Sequence, residues 1–357
     1  MRRPGGSRDS LCRSTKYEGI LVLLFILTLP LSNPWVRGDG VGYYAFARSL
    51  LIEHRLDFTE DWQRANTSFR MGRCDADGRP LPDQYTATGH LDNHFSVGPA
   101  ILWAPFLIVA HVSVVICDLL GGRIPADGFS KPYLVAMALG TALYGFLALM
   151  ISFTLARRYV AERWAFLATL GIWFGSALPV YMYFNPSWSH AQSGFMVALF
   201  VWYWAITRRA RTWTQWAILG AIVGLMVDVY YLSGVLLLLP LLESLASYGR
   251  VFAGTADESI GRLISENIIF GTAVLIAFLP TLIKKRSSKR LHHGENTRSV
   301  ATGWLRAVGK HWAVTLCGEN IVRLRLFRQK TSEFLVLYFF DHVICVAQGE
   351  KACSATR

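Results

Sequence analysis

The chain has 357 residues, 53% hydrophobic and 17% charged, where soluble domains carry about 25% charged residues. That composition excludes disorder, a disulfide-stapled mini-protein and a collagen-like fibre. The formal net charge of +12 is unevenly spread: residues 1–283 hold 22 Lys+Arg and 19 Asp+Glu, whereas residues 284–357 hold 14 and 5. The first 283 residues are thus apolar and nearly neutral, which assigns the chain to the all-α, polytopic membrane class and leaves nucleic acid unexpected as a partner. Six scattered cysteines with no C-x-x-C suggest neither a zinc site nor a disulfide framework.

A helix crosses the hydrocarbon with about 20 apolar residues. Candidate runs in chain order are 19–35, 97–120, 133–156, 164–184, 193–207, 216–230, 231–246 and 267–283. Arg2, Arg3, Arg8, Arg13 and Lys16 precede the first, which predicts a cytoplasmic N-terminus. No A-x-A-like site follows that run, and Pro30 and Pro34 stand where cleavage would fall, so it reads as an uncleaved anchor.

Arg157, Arg158 and Arg163, then Arg208, Arg209 and Arg211, are expected on the cytoplasmic side of a hairpin whose outer turn is 185–192. The run 133–156 must then travel inward. If 97–120 also crossed, the segment before it would be cytoplasmic, against the first crossing. Parity is restored when 97–120 lies at, or dips into, the outer interface, a placement that suits Pro99, Pro105, His111 and Asp118. Residues 36–132 therefore read as one external segment, with interfacial helices near 41–56 and 97–120. Nine acids precede the second apolar run: Asp39, Glu53, Asp57, Glu60, Asp61, Asp75, Asp77, Asp83 and Asp92. In 41–56, Tyr43, Phe46, Ala47, Leu50 and Leu51 recur at helical spacing against Arg48, Glu53 and His54. Residues 72–89, rich in Gly, Pro and Asp, read as loop. Farther on, 216–246 is too long for one crossing and tight for two. Asp228, Ser233 and Gly234 break its middle into two short helices that meet at the outer face. An ionisable group there is costly, which makes Asp228 a functional candidate.

Three clusters carry chemistry. Asp39 lies between Gly38 and Gly40 directly after the first crossing, placed for a general base at the membrane surface, or else for a helix cap or turn. His90, Asp92 and His94 alternate, so an extended backbone would turn all of them to one side toward a metal or phosphate; a polar loop explains them equally. His190 closes the turn 185–190 among Tyr181, Tyr183, Phe184 and Trp188, whose other reading is an interfacial aromatic belt.

Together these residues resemble the GT-C superfamily of membrane glycosyltransferases, relatives of protein O-mannosyltransferases and lipid A aminoarabinose transferases. The resemblance rests on G-D-G-x-x-Y-Y at 38–44, R-S-L-x-I-x-x-x-L-D-F at 48–58, N-H-F-x-x-G-P-A-I-L-W-A-P-F at 93–106 and P-S-W-S-H-A-Q-S at 186–193. It implies a transmembrane helix bundle with a long first external loop carrying juxtamembrane helices, in a bacterial inner membrane. The implied reaction moves a sugar from a polyprenyl-phosphate carrier to a lipid, glycan or protein acceptor on the non-cytoplasmic face, with Asp39 as base. Tyr44, Arg48, Asp92, His94, His190 and Asp228 form the candidate substrate-binding set. Some branches of the superfamily use a divalent metal and others do not, and no metal ligands are assigned.

The chain departs from the pattern in places. Gly40 stands where many members complete an acidic pair, and Asp228-Val229-Tyr230-Tyr231 where several carry a basic residue. Members continue for several more spans beyond the point matching Ile283. From Lys284 the character turns basic and aperiodic, which reads as a regulatory tail or, as the abrupt loss of pattern favours, a truncated or frame-shifted end that leaves 1–283 incomplete and inactive. A transporter or flippase of a lipid-linked or anionic solute is the alternative, motivated by Asp228 in a broken helix pair.

Overall fold

The structure is a computed structural model describing residues 16–86, 89–208, 210–255 and 259–288. Among these residues it is helical, with two isolated bridges and no strand, as the all-α expectation requires. Gly98–Leu119, Lys131–Ala156, Tyr231–Phe252 and Ile260–Lys284 are long and apolar enough to cross a bilayer. The expected tail beyond 288 and the basic residues before Lys16 lie outside the described residues.

Helix α1 (Lys16–Thr28) and a 3-10 turn (Leu29–Leu31) occupy the first apolar run, and the chain then continues non-helically to Arg37. The helix is shorter than the run because Pro30 has no N–H to continue it. Thr28 Oγ1 turns back onto the Leu24 and Phe25 carbonyls, closing its last turn.

The post of the fold is α6 (Lys131–Ala156), with Pro132 in its first turn where an N–H is dispensable. Its second half takes α1 antiparallel: Phe25 stacks on Phe146 at 4.3 Å, and Arg157 pairs with Glu18 at 2.6 Å. Its first half takes α5 (Gly98–Leu119), also antiparallel. There Trp103 Nε1 donates to Thr141 at 2.8 Å, Tyr144 donates to the Leu102 carbonyl at 2.8 Å, and His111 meets Tyr133 at 2.7 Å. Helices α1 and α5 therefore stand at successive levels along one helix about 39 Å long.

Next come α7 (Glu162–Gly175), a π-turn (Val180–Phe184) and α8 (His190–Thr207). Thr212 and Gln215 form a capping box that starts α9 (Trp213–Val229). The expected break in 216–246 falls at Tyr230, followed by a 3-10 segment (Tyr231–Leu237) and α10 (Leu238–Phe252). This return leg brings Glu243 to Arg211 at 2.8 Å, so α11 (Ile260–Ser288) runs parallel to α9. Gly220, Gly224 and Asp228, four residues apart, face Ala273, Ala277 and Thr281 with the same spacing. Small residues let the two backbones touch, the packing that works where lipid removes the hydrophobic drive.

The segment expected to be external folds as α2 (Gly40–Leu51), α3 (Thr59–Arg64), α4 (Thr67–Arg70) and loops. Helix α2 departs from the amphipathic expectation, because nearly every side of it is buried and Arg48 is only 1% exposed. Phe46, Phe58, Trp62 and Phe69 continue from α2 as a chain of ring contacts at 5.1, 5.4 and 5.4 Å. Each fully buried ring of this kind contributes about 2 kcal/mol.

Two glycines of this region face protein rather than a ligand. A Cβ on Gly42 would run into the Phe95 ring, and one on Gly98 into the backbone of Asp228 and Val229. Gly98→Ala is therefore expected to lower stability by about 1–3 kcal/mol, since backbone cannot step aside as a side chain can. Gly171→Ala, in open space within α7, is the control and leaves thermal unfolding in detergent unchanged or raised.

Candidate functional site

Asp39 is presented by a turn clamped from outside. Gly38 takes φ +55°, a conformation that glycine adopts without strain. Arg37 Nε donates to Asn185 Oδ1 at 2.6 Å and its Nη2 to the Phe184 carbonyl at 3.0 Å, while Trp188 Nε1 donates to the Arg37 carbonyl at 3.0 Å. The box at 38–44 thus docks on the turn between α7 and α8, joining two clusters that stand 150 residues apart. Asp39 itself is exposed and stands in a turn at the N-cap position of α2, as the plain alternative anticipated, although its carboxylate accepts no helix N–H.

The carboxylate lines a cleft of about 450 Å³ shared with Arg73, Asp83, Gln84, Asp92 and His94, and walled by Phe69 and Phe95. Arg73 is the fixed donor of the group. Its guanidinium lies 4.6 Å from the Phe69 ring and 5.4 Å from Trp62, donating to Gln84 Oε1 at 2.8 Å and to His94 Nδ1 at 3.2 Å. Because arginine has donors only, His94 Nδ1 is the acceptor and the ring proton sits on Nε2. Asn93 positions this wall from below, donating from Nδ2 to the Gly42 carbonyl at 2.8 Å.

Burial, followed by the charge of Arg73, holds His94 below the ordinary imidazole value, against the opposing pull of Asp92 and Asp39. The neutral ring is therefore the form the fold prefers. Its contribution to stability is complete above the unfolded value near 6.5 and is lost as pH falls through the lower folded value. An NMR titration of His94 is expected to show a midpoint below 6.5, moving upward in Arg73→Gln; a midpoint above 6.5 would contradict this account.

The other sequence candidates lie elsewhere. His190 packs between Tyr181 at 4.2 Å and Tyr230 at 5.6 Å, within electrostatic reach of Asp39 but not lining the cleft. Tyr44 is buried, donates to the Gly128 carbonyl at 2.6 Å, and lines a larger cavity of about 690 Å³ with Asp61 and Phe129. Arg48 is locked in a buried pair: Nε to Asp61 Oδ1 at 2.9 Å, Nη2 to Asp61 Oδ2 at 2.6 Å, and Nη1 to Glu53. Asp228, also buried, accepts from Thr281, whose hydroxyl in turn accepts the Val97 N–H at 3.2 Å. The alternation of His90, Asp92 and His94 brings only the last two to the cleft.

One cleft residue, Arg73, and one cation packed behind the cleft wall, Lys284, carried no mark in the sequence. Arg73 lies inside the stretch read as plain loop, with no spacing that marks it. Lys284, where the sequence pattern changes, still belongs to the fold: its ammonium donates to the Phe95 carbonyl and lies 5.1 Å from the Phe46 ring.

Among the described residues no group of three or more His, Cys, Asp or Glu side chains is placed to hold a metal ion. No family model, curated protein or solved structure matches the chain.

Proposed function

We propose that this chain is a membrane glycosyltransferase of the GT-C type that moves a sugar from a polyprenyl-phosphate carrier to an acceptor on the non-cytoplasmic face of a bacterial inner membrane. The observation that carries the reading is Asp39: an exposed carboxylate at the mouth of a polar cleft, held by a turn clamped to a second loop. In the proposed step an acceptor hydroxyl binds in the cleft and Asp39 takes its proton as the oxygen attacks the anomeric carbon. The bond from that carbon to the phosphate oxygen breaks, its electron pair leaves with the carrier phosphate, and the anomeric configuration inverts. Arg73 and the Nε2–H of His94 supply fixed donors for sugar oxygens, and nothing in the step is routed through a metal.

Under this reading the N-terminus is cytoplasmic, residues 36–132 are external, and α5 dips into the bilayer from the outer side along the first half of α6. Asp228, which motivated the transporter alternative, is enclosed by α9, α11 and the chain before α5 rather than facing the cleft. Transfer of labelled sugar by the purified full-length protein, and its loss in Asp39→Asn, is the deciding experiment. A wild-type protein that transfers nothing, or a variant that transfers at the wild-type rate, counts against the reading.

A further inference from the structure

The larger cavity, about 690 Å³, has no part in the transfer step, yet its volume lies within the range of small-molecule sites. Trp35, Val36, Val41, Ala65, Phe129 and Leu134 supply its apolar walls. One of those walls is fixed in place. The Phe129 ring lies between two guanidiniums, 4.4 Å from Arg48 and 4.6 Å from Arg64, and the Tyr44 hydroxyl ties down the adjacent Gly128 carbonyl. Three charged residues share the lining, and each is held by protein groups. Arg37 is bound by Asn185 and Phe184, Asp61 by Arg48 at 2.6 Å, and Arg64 by Asp127 at 3.3 Å. With its charges paired internally, the cavity favours an apolar occupant over an ionic one.

Its position narrows the occupant further. Trp35 closes the first apolar run, and Leu134 stands in the first turn of α6, a helix long and apolar enough to cross a bilayer. Tryptophan is favoured where hydrocarbon meets water, so a chain leaving the bilayer meets the cavity at that level. The cavity also adjoins the carboxylate. Val36, Arg37 and Val41 line it, Asp39 of the same turn lines the cleft, and Ser68 lines both. We infer that the cavity holds the apolar chain of the acceptor, whose hydroxylated head passes Ser68 to Asp39, so that the acceptor is a membrane lipid and not a glycan or a protein. This rests on the glycosyl-transfer reading, in which the oxygen that gives its proton to Asp39 is the acceptor's. Inversion puts the carrier phosphate on the opposite side of the anomeric carbon, so the chain beside Asp39 belongs to the acceptor.

The test uses the purified full-length protein in phosphatidylcholine nanodiscs, with dodecyl glucoside carrying a diazirine near the end of its chain as probe. After irradiation, peptides from 35–44, 59–68 and 129–134 carry the label. Excess unlabelled dodecyl glucoside removes it, whereas methyl glucoside does not. Val36→Phe and Ala65→Phe narrow the cavity from two separate segments, and each lowers this labelling about tenfold with thermal unfolding unchanged. Label found only on other segments, or label that survives both folded variants, overturns the proposal; the wild-type map decides by itself should a variant fail to fold. A second arm follows transfer from a labelled polyprenyl-phosphate sugar. Dodecyl glucoside accepts at least about tenfold faster than methyl glucoside, and Val36→Phe raises KM for dodecyl glucoside while KM for the donor stays unchanged. Equal transfer to both acceptors, or a rise in the donor KM instead, overturns the inference and leaves the transferase reading standing. Labelling of the cavity with transfer to neither acceptor overturns the acceptor role together with the transferase reading, and the cavity remains a lipid-chain site.

Discussion

Asp39→Asn is expected to leave the protein folded and to lower sugar transfer by about 10²–10⁴-fold, the range that removing a positioned general base produces. The substitution keeps shape and removes only the proton acceptor. It also leaves the fold alone, because the carboxylate is exposed and makes no capping bond, while the clamp is made by Arg37, Asn185 and Trp188 instead. The measurement pairs transfer from a polyprenyl-phosphate sugar with thermal unfolding of the same preparation. Unchanged unfolding with lost transfer supports the role of base. If both fall together, Asp39 is a structural residue and the assignment is wrong. Asp39→Glu, which restores a carboxylate on a longer stem, is expected to recover part of the rate.

The second large effect falls on a residue that the sequence placed in the binding set. Arg48→Met is expected to destabilise the unit formed by α2 and α3 by about 3–5 kcal/mol, because it strands the buried carboxylate of Asp61 without its partner. Burial alone would lower the affinity of Arg48 for its proton, but the hydrogen bonds and charges of Asp61 and Glu53 outweigh it and hold the residue above an ordinary arginine. Replacing Arg48 and Asp61 together by Met and Leu removes both charges at once and recovers much of the loss. Hydrogen exchange of α2 and α3 separates these cases. A phosphate-binding Arg48 predicts instead a weakened substrate affinity with no change in exchange protection.

The same network sets an acid limit. Burial pushes Glu53 upward, but its bonds to Arg48 and Arg55 outweigh that and hold it below its ordinary value of 4.5. The stability it contributes is present above that value and lost as pH falls through the folded one.

Much of the scaffold was legible from local signals. Apolar runs separated by arginines mark helices, Pro30 ends the first one, and Thr212 with Gln215 starts α9. The break within 216–246 was visible because Asp228 and the residues after it interrupt an otherwise continuous apolar run; the helix ends at Val229. The cleft was legible only where several unusual residues fall in one short stretch, as around Asp39 and at Asp92–His94. Arg48 misled because helical spacing sets which residues share a face but not whether that face meets water. In α2 the aromatic rings of α3 and α4 and the acid of Asp61 close over what the pattern marked as polar.

The sequence by itself determined the class of protein, the placement of its helices along the chain and the exposed acid that opens the first long loop. These follow from hydrophobic length, proline and charge, all of which act within a few turns of helix. Only the tertiary structure decided that Asp39, Arg73, Asp92 and His94 share one cleft while Arg48, Tyr44 and Asp228 are enclosed elsewhere. That choice depends on how loops separated by many residues dock on each other. Glycines without a Cβ at 42 and 98, and single hydrogen bonds from Arg37, Asn93 and Lys284, fix that docking. No periodicity encodes such contacts, because each is a meeting in space between positions that share no spacing along the chain.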